Sequence, residues 1–260
     1  MNRVKPNVDK SVSIYVSSRY SSHLVPSSPL VVRDSSLAPV KECTYLGVTI
    51  YAHLTLSTHI RNICRSAYFH LHRIGKIRRY LDAQTTLRLV HAFVLSRIDY
   101  CNATFAGLHS TLLDNMHKVI NAAARLVLRV RRREHMKLHL KYLRWLPISK
   151  RIDFKLSVHA YRCLCRCEDR PLPVGCPNCS APLYLSSRLR YHIPGRNLRS
   201  ATDRTLIVPP SRTIPHGDRA FSRSCSLVWN SLPSSVTSSP NIYVFRSRLR
   251  THLLELSYPK

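Results

Sequence analysis

Acidic residues are what this chain has least of: only 13 Asp plus Glu stand against 41 Lys plus Arg in 260 residues. Glycine is also scarce, with six in all, and none of them forms GxGxxG or GxxxxGK. That excludes a Gly-rich loop of the kind that cradles nucleotide phosphates. No two Asp residues are adjacent, and the nine Asp residues are scattered, whereas two-metal phosphoryl transfer needs carboxylates clustered. The histidines do not form HExxH. No apolar run reaches the ~18 residues of a membrane span, so no membrane partner is expected. The first residues, MNRVKPNVDK, carry no apolar stretch of the signal-peptide kind, which points to an intracellular protein of the nucleus or cytoplasm with reduced thiols.

What is present follows from the same imbalance. The net charge of +28 points to a polyanionic partner, RNA or DNA, because each phosphate contact releases counterions. Residues 41–170 hold 24 basic and 8 acidic side chains, most of the excess. Hydrophobic content of 44% is enough for a packed core.

Short strands are predicted at 12–16, VSIYV, and 45–50, YLGVTI, with a Ser/Pro-rich loop between them and Gly47 as a bulge or close approach. From Ser57, a suitable N-cap, the period becomes helical, with Ile60, Ile63, Ala67, Leu71, Ile74 and Ile77 on one face. At 100° per residue, Arg61, Arg65, His72, Lys76 and Arg79 fall within about 60° of each other. No acidic residue lies between Glu42 and Asp82, whereas an ordinary solvated face mixes signs, so this stripe is a candidate phosphate track. A second helix should follow the cap Asp82, with Leu87, Val90, Phe93 and Val94 inward. A third should run from Ser110 to about Leu128 and end in RVRRR. Arg129, Arg131, Arg132 and Arg133 suit phosphate, nuclear import or a helix C-terminus equally. A helix capped by Ser149 should reach about Cys165, apolar nearly all round and therefore central. Residues 168–215 read as irregular, and helices are expected near 217–231 and 241–256.

Two constellations remain. In SRIDYCNATFAG, residues 96–107, Cys101 stands at a helix C-terminal end, where the dipole disfavours a thiolate. Cys101 is read as a buried structural thiol and Asp99 as the partner of Arg97 or of a neighbouring helix. In CLCRCEDRPLPVGCPNC, Cys176 and Cys179 have zinc-knuckle spacing, and Cys165 and Cys167 complete four thiolates of a candidate zinc site. Incidental thiols are the alternative there.

Several blocks, in serial order, carry a family resemblance. They are YLGVTI, HIRNICRSAYFHLHRIGKIRRYL, LVHAFVLSRIDYCNATFAGL, INAAARLVLRVRRREH, LRWLPISKRIDFKL, PGRNLRSA, DRAFSRSCSLVWNSLP and FRSRLRTHLL. The chain resembles the C-terminal part of the reverse transcriptase of non-LTR, LINE-type retrotransposons. The resemblance implies that KPNVDKS matches the Asn-x-x-Lys-Thr element late in the palm, with Lys10 as its lysine near the incoming nucleotide and Ser11 in place of Thr. It also implies that YLGVTI is the hairpin gripping the primer end and that the striped helix and its two successors form the thumb. The catalytic Tyr-x-Asp-Asp element and its magnesium-binding carboxylates would lie upstream and are not among these residues. The Cys-rich stretch departs from the Cys-Leu-His-Gly expected in that region.

The expected architecture is mainly α: a palm remnant over 1–52, a thumb-like bundle over 53–167, an irregular connection over 168–215 and C-terminal helices over 216–260. The expected function is an inactive reverse-transcriptase fragment with residual template–primer binding. A domesticated nucleic-acid-binding protein with a structural zinc, and a polymerase subunit needing segments from another chain, are the alternatives. The incomplete palm should leave an exposed edge that favours self-association.

Overall fold

The computed structural model describes residues 7, 10–17, 26, 28–32, 35–164, 181–192, 205–211 and 217–259. It is mainly helical, with two small sheets, and falls into two compact units, Met1–Ile63 and Cys64–Lys260.

The first unit holds two antiparallel hairpins. Strands β1 (Leu30–Val32) and β2 (Ser35–Leu37) pair in register Leu30 to Leu37, inside the segment expected as a loop. Strands β3 (Glu42–Tyr45) and β4 (Val48–Tyr51) pair with Tyr45 opposite Val48. YLGVTI is therefore not one strand with a bulge but a turn and its flanks. Leu46 and Gly47 both take positive φ, 47° and 77°, as a two-residue hairpin turn twisted to match its strands requires. Glycine takes that conformation without cost, while leucine there is strained by about 1 kcal/mol. The predicted strand 12–16 reduces to one parallel bridge, Ser13 to Pro39, with the Val40 N–H donating to the Ser13 carbonyl at 2.8 Å.

Helix α1 (Ser57–Ile77) begins at Ser57 itself, and its first bond runs from the Ile60 N–H to the Leu56 carbonyl, so Ser57 lies inside the helix rather than capping it. The predicted apolar face is buried from Ile60 to Ile74; Ile77, at the helix end, is exposed. A 3-10 turn, Arg78–Tyr80, follows. Asp82 then caps α2 (Ala83–Val90) as expected: its Oδ2 accepts from the Gln84 and Thr85 N–H groups at 3.0 and 3.2 Å. Hydrogen bonds from Thr85, more than any other factor, hold its carboxyl below the ordinary Asp range.

The second helix does not continue with a single α period. A π segment, His91–Leu95, inserts before α3 (Ser96–Asp99). The wider turn buries Val94 and Leu95 side by side and rotates Phe93, expected inward, out to 46% exposure. Helix α4 (Ser110–Leu128) matches its predicted span and buries Met116, Val119, Ile120, Ala123, Ala124 and Val127. A short α5 (Met136–Tyr142) follows.

Helix α6 (Ile148–Leu164) is the axis of the second unit. It starts one residue before Ser149, with the Arg151 N–H bonded to the Pro147 carbonyl, so Ser149 is not its cap. Buried residues occur on all its sides, and its buried polar groups are satisfied: Ser157 Oγ donates to Asp153 O at 2.7 Å and Tyr161 OH to Ser239 O at 2.9 Å. Helices α8 (Phe221–Asn230) and α10 (Ile242–Ser257) pack against it. Together with α7 (Leu183–Ser186) and α9 (Ser234–Thr237) they enclose a core of Val158, Tyr161, Leu164, Leu206, Trp229, Phe245 and Leu249. Asn230 stitches the neighbouring chain to this core, donating to Leu206 O at 2.8 Å and accepting from Leu206 N–H at 2.7 Å.

Candidate nucleic-acid interface

The stripe predicted on α1 lies at the surface. In the second unit, Arg65, His72, Lys76 and Arg79 are exposed, and so is Arg61 in the part of the helix belonging to the first unit. The helical period sets this out: the apolar residues of α1 turn inward, and the basic ones follow on the opposite arc. None of the four ion pairs among the described residues involves the stripe.

Aromatic side chains flank these charges, a feature the charge pattern alone did not show. Tyr68, Phe69, Tyr80 and Phe93 are 45%, 56%, 73% and 46% exposed. Arg73 stands 5.6 Å from the Phe69 ring centre, and Arg79 stands 4.7 Å from that of Tyr80. His70 stacks on Phe93 with ring centres 5.6 Å apart. The i, i+4 spacing of Phe69 and Arg73 was the available sequence signal. The His70–Phe93 contact had none, since it depends on the π segment turning Phe93 outward.

Arg129 reaches this end of the stripe from 51 residues along the chain. It ends α4 in the left-handed conformation at φ 54°, and its Nη2 donates to the Arg78 carbonyl at 3.3 Å. Arg131, Arg132 and Arg133 are exposed in the turn beyond. The carbonyls at the end of α4 are served instead by Arg78, a residue the sequence did not single out. Its guanidinium is buried, with Nε donating to Leu126 O at 3.0 Å, Nη2 to Val127 O at 3.0 Å and Nη1 to Leu81 O at 2.7 Å. Lys10, in the first unit, is exposed, in a turn whose Lys10 N–H donates to Asn7 O and whose Ser11 Oγ donates to the same carbonyl at 2.8 Å.

Asp99 pairs not with Arg97 but with α6: both its oxygens accept from Arg151 Nη1, at 3.0 and 2.8 Å. Cys101 is half-buried rather than buried, in a left-handed turn at φ 52°. Cys165, Cys167, Cys176 and Cys179 lie outside the described residues. Among the described residues, no group of three or more His, Cys, Asp or Glu side chains could hold a metal ion, and no helix is long and apolar enough to cross a membrane.

Five histidines share one electrostatic fate. Burial is the first cause pushing His59, His70, His91, His117 and His159 below the ordinary imidazole range, with nearby arginines or Lys155 adding to it at His70, His91 and His159. Folding thus favours the neutral rings, and the unfolded chain binds more protons once the pH nears the free imidazole value of about 6.5. The stability these rings contribute is complete above that value and is lost as pH falls through the depressed values. The melting temperature is therefore expected to fall between pH 7 and pH 5, before the carboxylates titrate; an unchanged melting temperature over that interval would refute it.

No protein-family model, curated protein or solved structure matches this chain.

Proposed function

We propose that this chain is a part of a LINE-type reverse transcriptase that grips an RNA–DNA template–primer and carries no polymerase catalytic centre of its own. The observation that carries the reading is the exposed row of Arg65, His72, Lys76 and Arg79, which makes no ion pair among the described residues and is interleaved with exposed aromatics, in a stretch without an acidic residue from 43 to 81. Such a surface suits a nucleic-acid backbone, with cations for phosphates and ring faces for unstacked bases. The β3–β4 hairpin falls on the residues that the resemblance equates with the primer grip, which supports the same reading. Leu30 and Val31 on exposed two-residue-spaced strands, 48% and 71% accessible, fit self-association through the first unit.

The test is anisotropy of a labelled RNA–DNA primer–template at several salt concentrations. Each phosphate contact contributes about 0.9 to the log–log salt slope on duplex DNA. Alanine at Arg61, Arg65, Lys76 and Arg79 together should flatten the slope by about two or more and weaken binding tenfold or more at low salt. An unchanged slope removes the stripe as the site. Primer extension by the isolated chain would refute the absence of a catalytic centre.

A further inference from the structure

A second basic feature lies away from the stripe. A pocket of about 250 Å³ opens in the second unit between the π segment, the 3-10 turn Asn102–Phe105, the start of α6 and α10. Its lining includes apolar Trp145, Leu146 and Phe154, of which Trp145 and Leu146 are buried and Phe154 is half-buried. His91 stands edge-on to Trp145 with ring centres 5.5 Å apart.

Its charge is one-sided. Asp99 and Arg151 neutralise each other through the close pair described above, and Arg151 Nε is also committed to Leu146 O at 2.9 Å. Arg144, Lys155 and Arg250 also line the pocket and have no ion-pair partner among the described residues. Arg250 Nη2 donates to the Arg144 carbonyl at 3.2 Å, which holds these two chain segments together. Asn102 is 1% exposed. Its Nδ2 donates to Asp99 Oδ1 at 3.4 Å, which fixes the amide orientation and leaves Oδ1 a buried acceptor with no donor. Such an acceptor is costly in a fold unless something donates to it.

We propose that this pocket binds a phosphomonoester of a nucleotide: the phosphate between Arg144, Lys155 and Arg250, the base or sugar against Phe154, and a hydroxyl or amino group donating to Asn102 Oδ1. Three cations without an ion-pair partner among the described residues, in a concave site, focus a potential that favours a dianion. Apolar lining beside them selects a ligand with a planar or carbon-rich body over a bare ion. The site is independent of the stripe, and so is its test.

Calorimetric titration of the full chain with adenosine 5′-monophosphate, adenosine and inorganic phosphate reads the proposal directly. The monophosphate should bind at least tenfold more tightly than either of its parts. Lys155→Ala with Arg250→Ala should weaken it at least tenfold, while the four-residue stripe variant should bind it as the unaltered protein does. A 5′-phosphorylated dinucleotide, compared with its 5′-hydroxyl form, separates a strand end from a free nucleotide as the source of the phosphate. Equal affinity for adenosine and its monophosphate overturns the proposal, a comparison that needs no variant. Binding that survives the pocket substitutions, or that is lost in the stripe variant alone, overturns it equally.

Discussion

Arg78→Met should lower the unfolding free energy of the second unit by about 3 kcal/mol, the cost of leaving buried carbonyls without a donor. The last turn of α4 leaves its carbonyls without helical partners. Arg125 O is met by the N–H groups of Arg129 and Val130. Among the described residues, Leu126 O and Val127 O are met only by the Arg78 guanidinium, which also holds Leu81 O. Methionine fills similar space and donates nothing. Lysine at the same position should recover less than half of the loss, since a point charge cannot match a three-way planar fork. Denaturant midpoints for the three proteins measure this, and a methionine variant within 1 kcal/mol of the original would refute the role. Because Arg78 is buried, the salt slope of the proposed nucleic-acid binding should be the same in Arg78→Lys as in the original, unlike in Arg79→Ala.

Phe245→Ala should cost about 4 kcal/mol, in the range measured for aromatic truncation in packed cores. Phe245 is fully buried on α10. Its ring lies 4.4 Å from that of Tyr161 at 25°, and 5.9 Å from that of Trp229 at 23°, so one side chain joins α6, α8 and α10. Removing it leaves a cavity among three helices and loosens Tyr161, whose hydroxyl reaches Ser239 O. For a unit of this size the melting temperature should drop by roughly 8 to 16 °C. Phe245→Leu should cost only about 1 to 2 kcal/mol. If leucine and alanine prove equally damaging, packing volume is not the cause.

The two substitutions differ in how far the sequence foretold them. The i, i+3, i+4 spacing of Ile242, Phe245, Leu249 and Leu253 marks Phe245 as inward without any structure. Arg78 sits in the same basic run as Lys76 and Arg79, and nothing in the sequence separates a buried arginine from its exposed neighbours. The same divide runs through the rest of the molecule. The spans of α1 and α4, the cap at Asp82, the central place of α6 and the exposed stripe are all local consequences of period and residue type. The hairpin at Leu46–Gly47, the outward turn of Phe93 and the caps of α1 and α6, neither of which is the expected serine, are not.

What the sequence by itself determined is therefore the mainly α architecture, the apolar faces of its helices and the excess of positive charge along one arc. Each depends on a residue and its neighbours within a turn or two, where side-chain period and propensity decide. What only the tertiary structure decided is which charges are spent inside the molecule and which remain exposed at its surface. Arg78 caps α4 from 48 residues away, Arg151 reaches Asp99 across 52, and Arg144, Lys155 and Arg250 meet around one pocket. The reason is that an arginine's role is set by the acceptors within reach of its guanidinium, and those come from segments that only packing brings together.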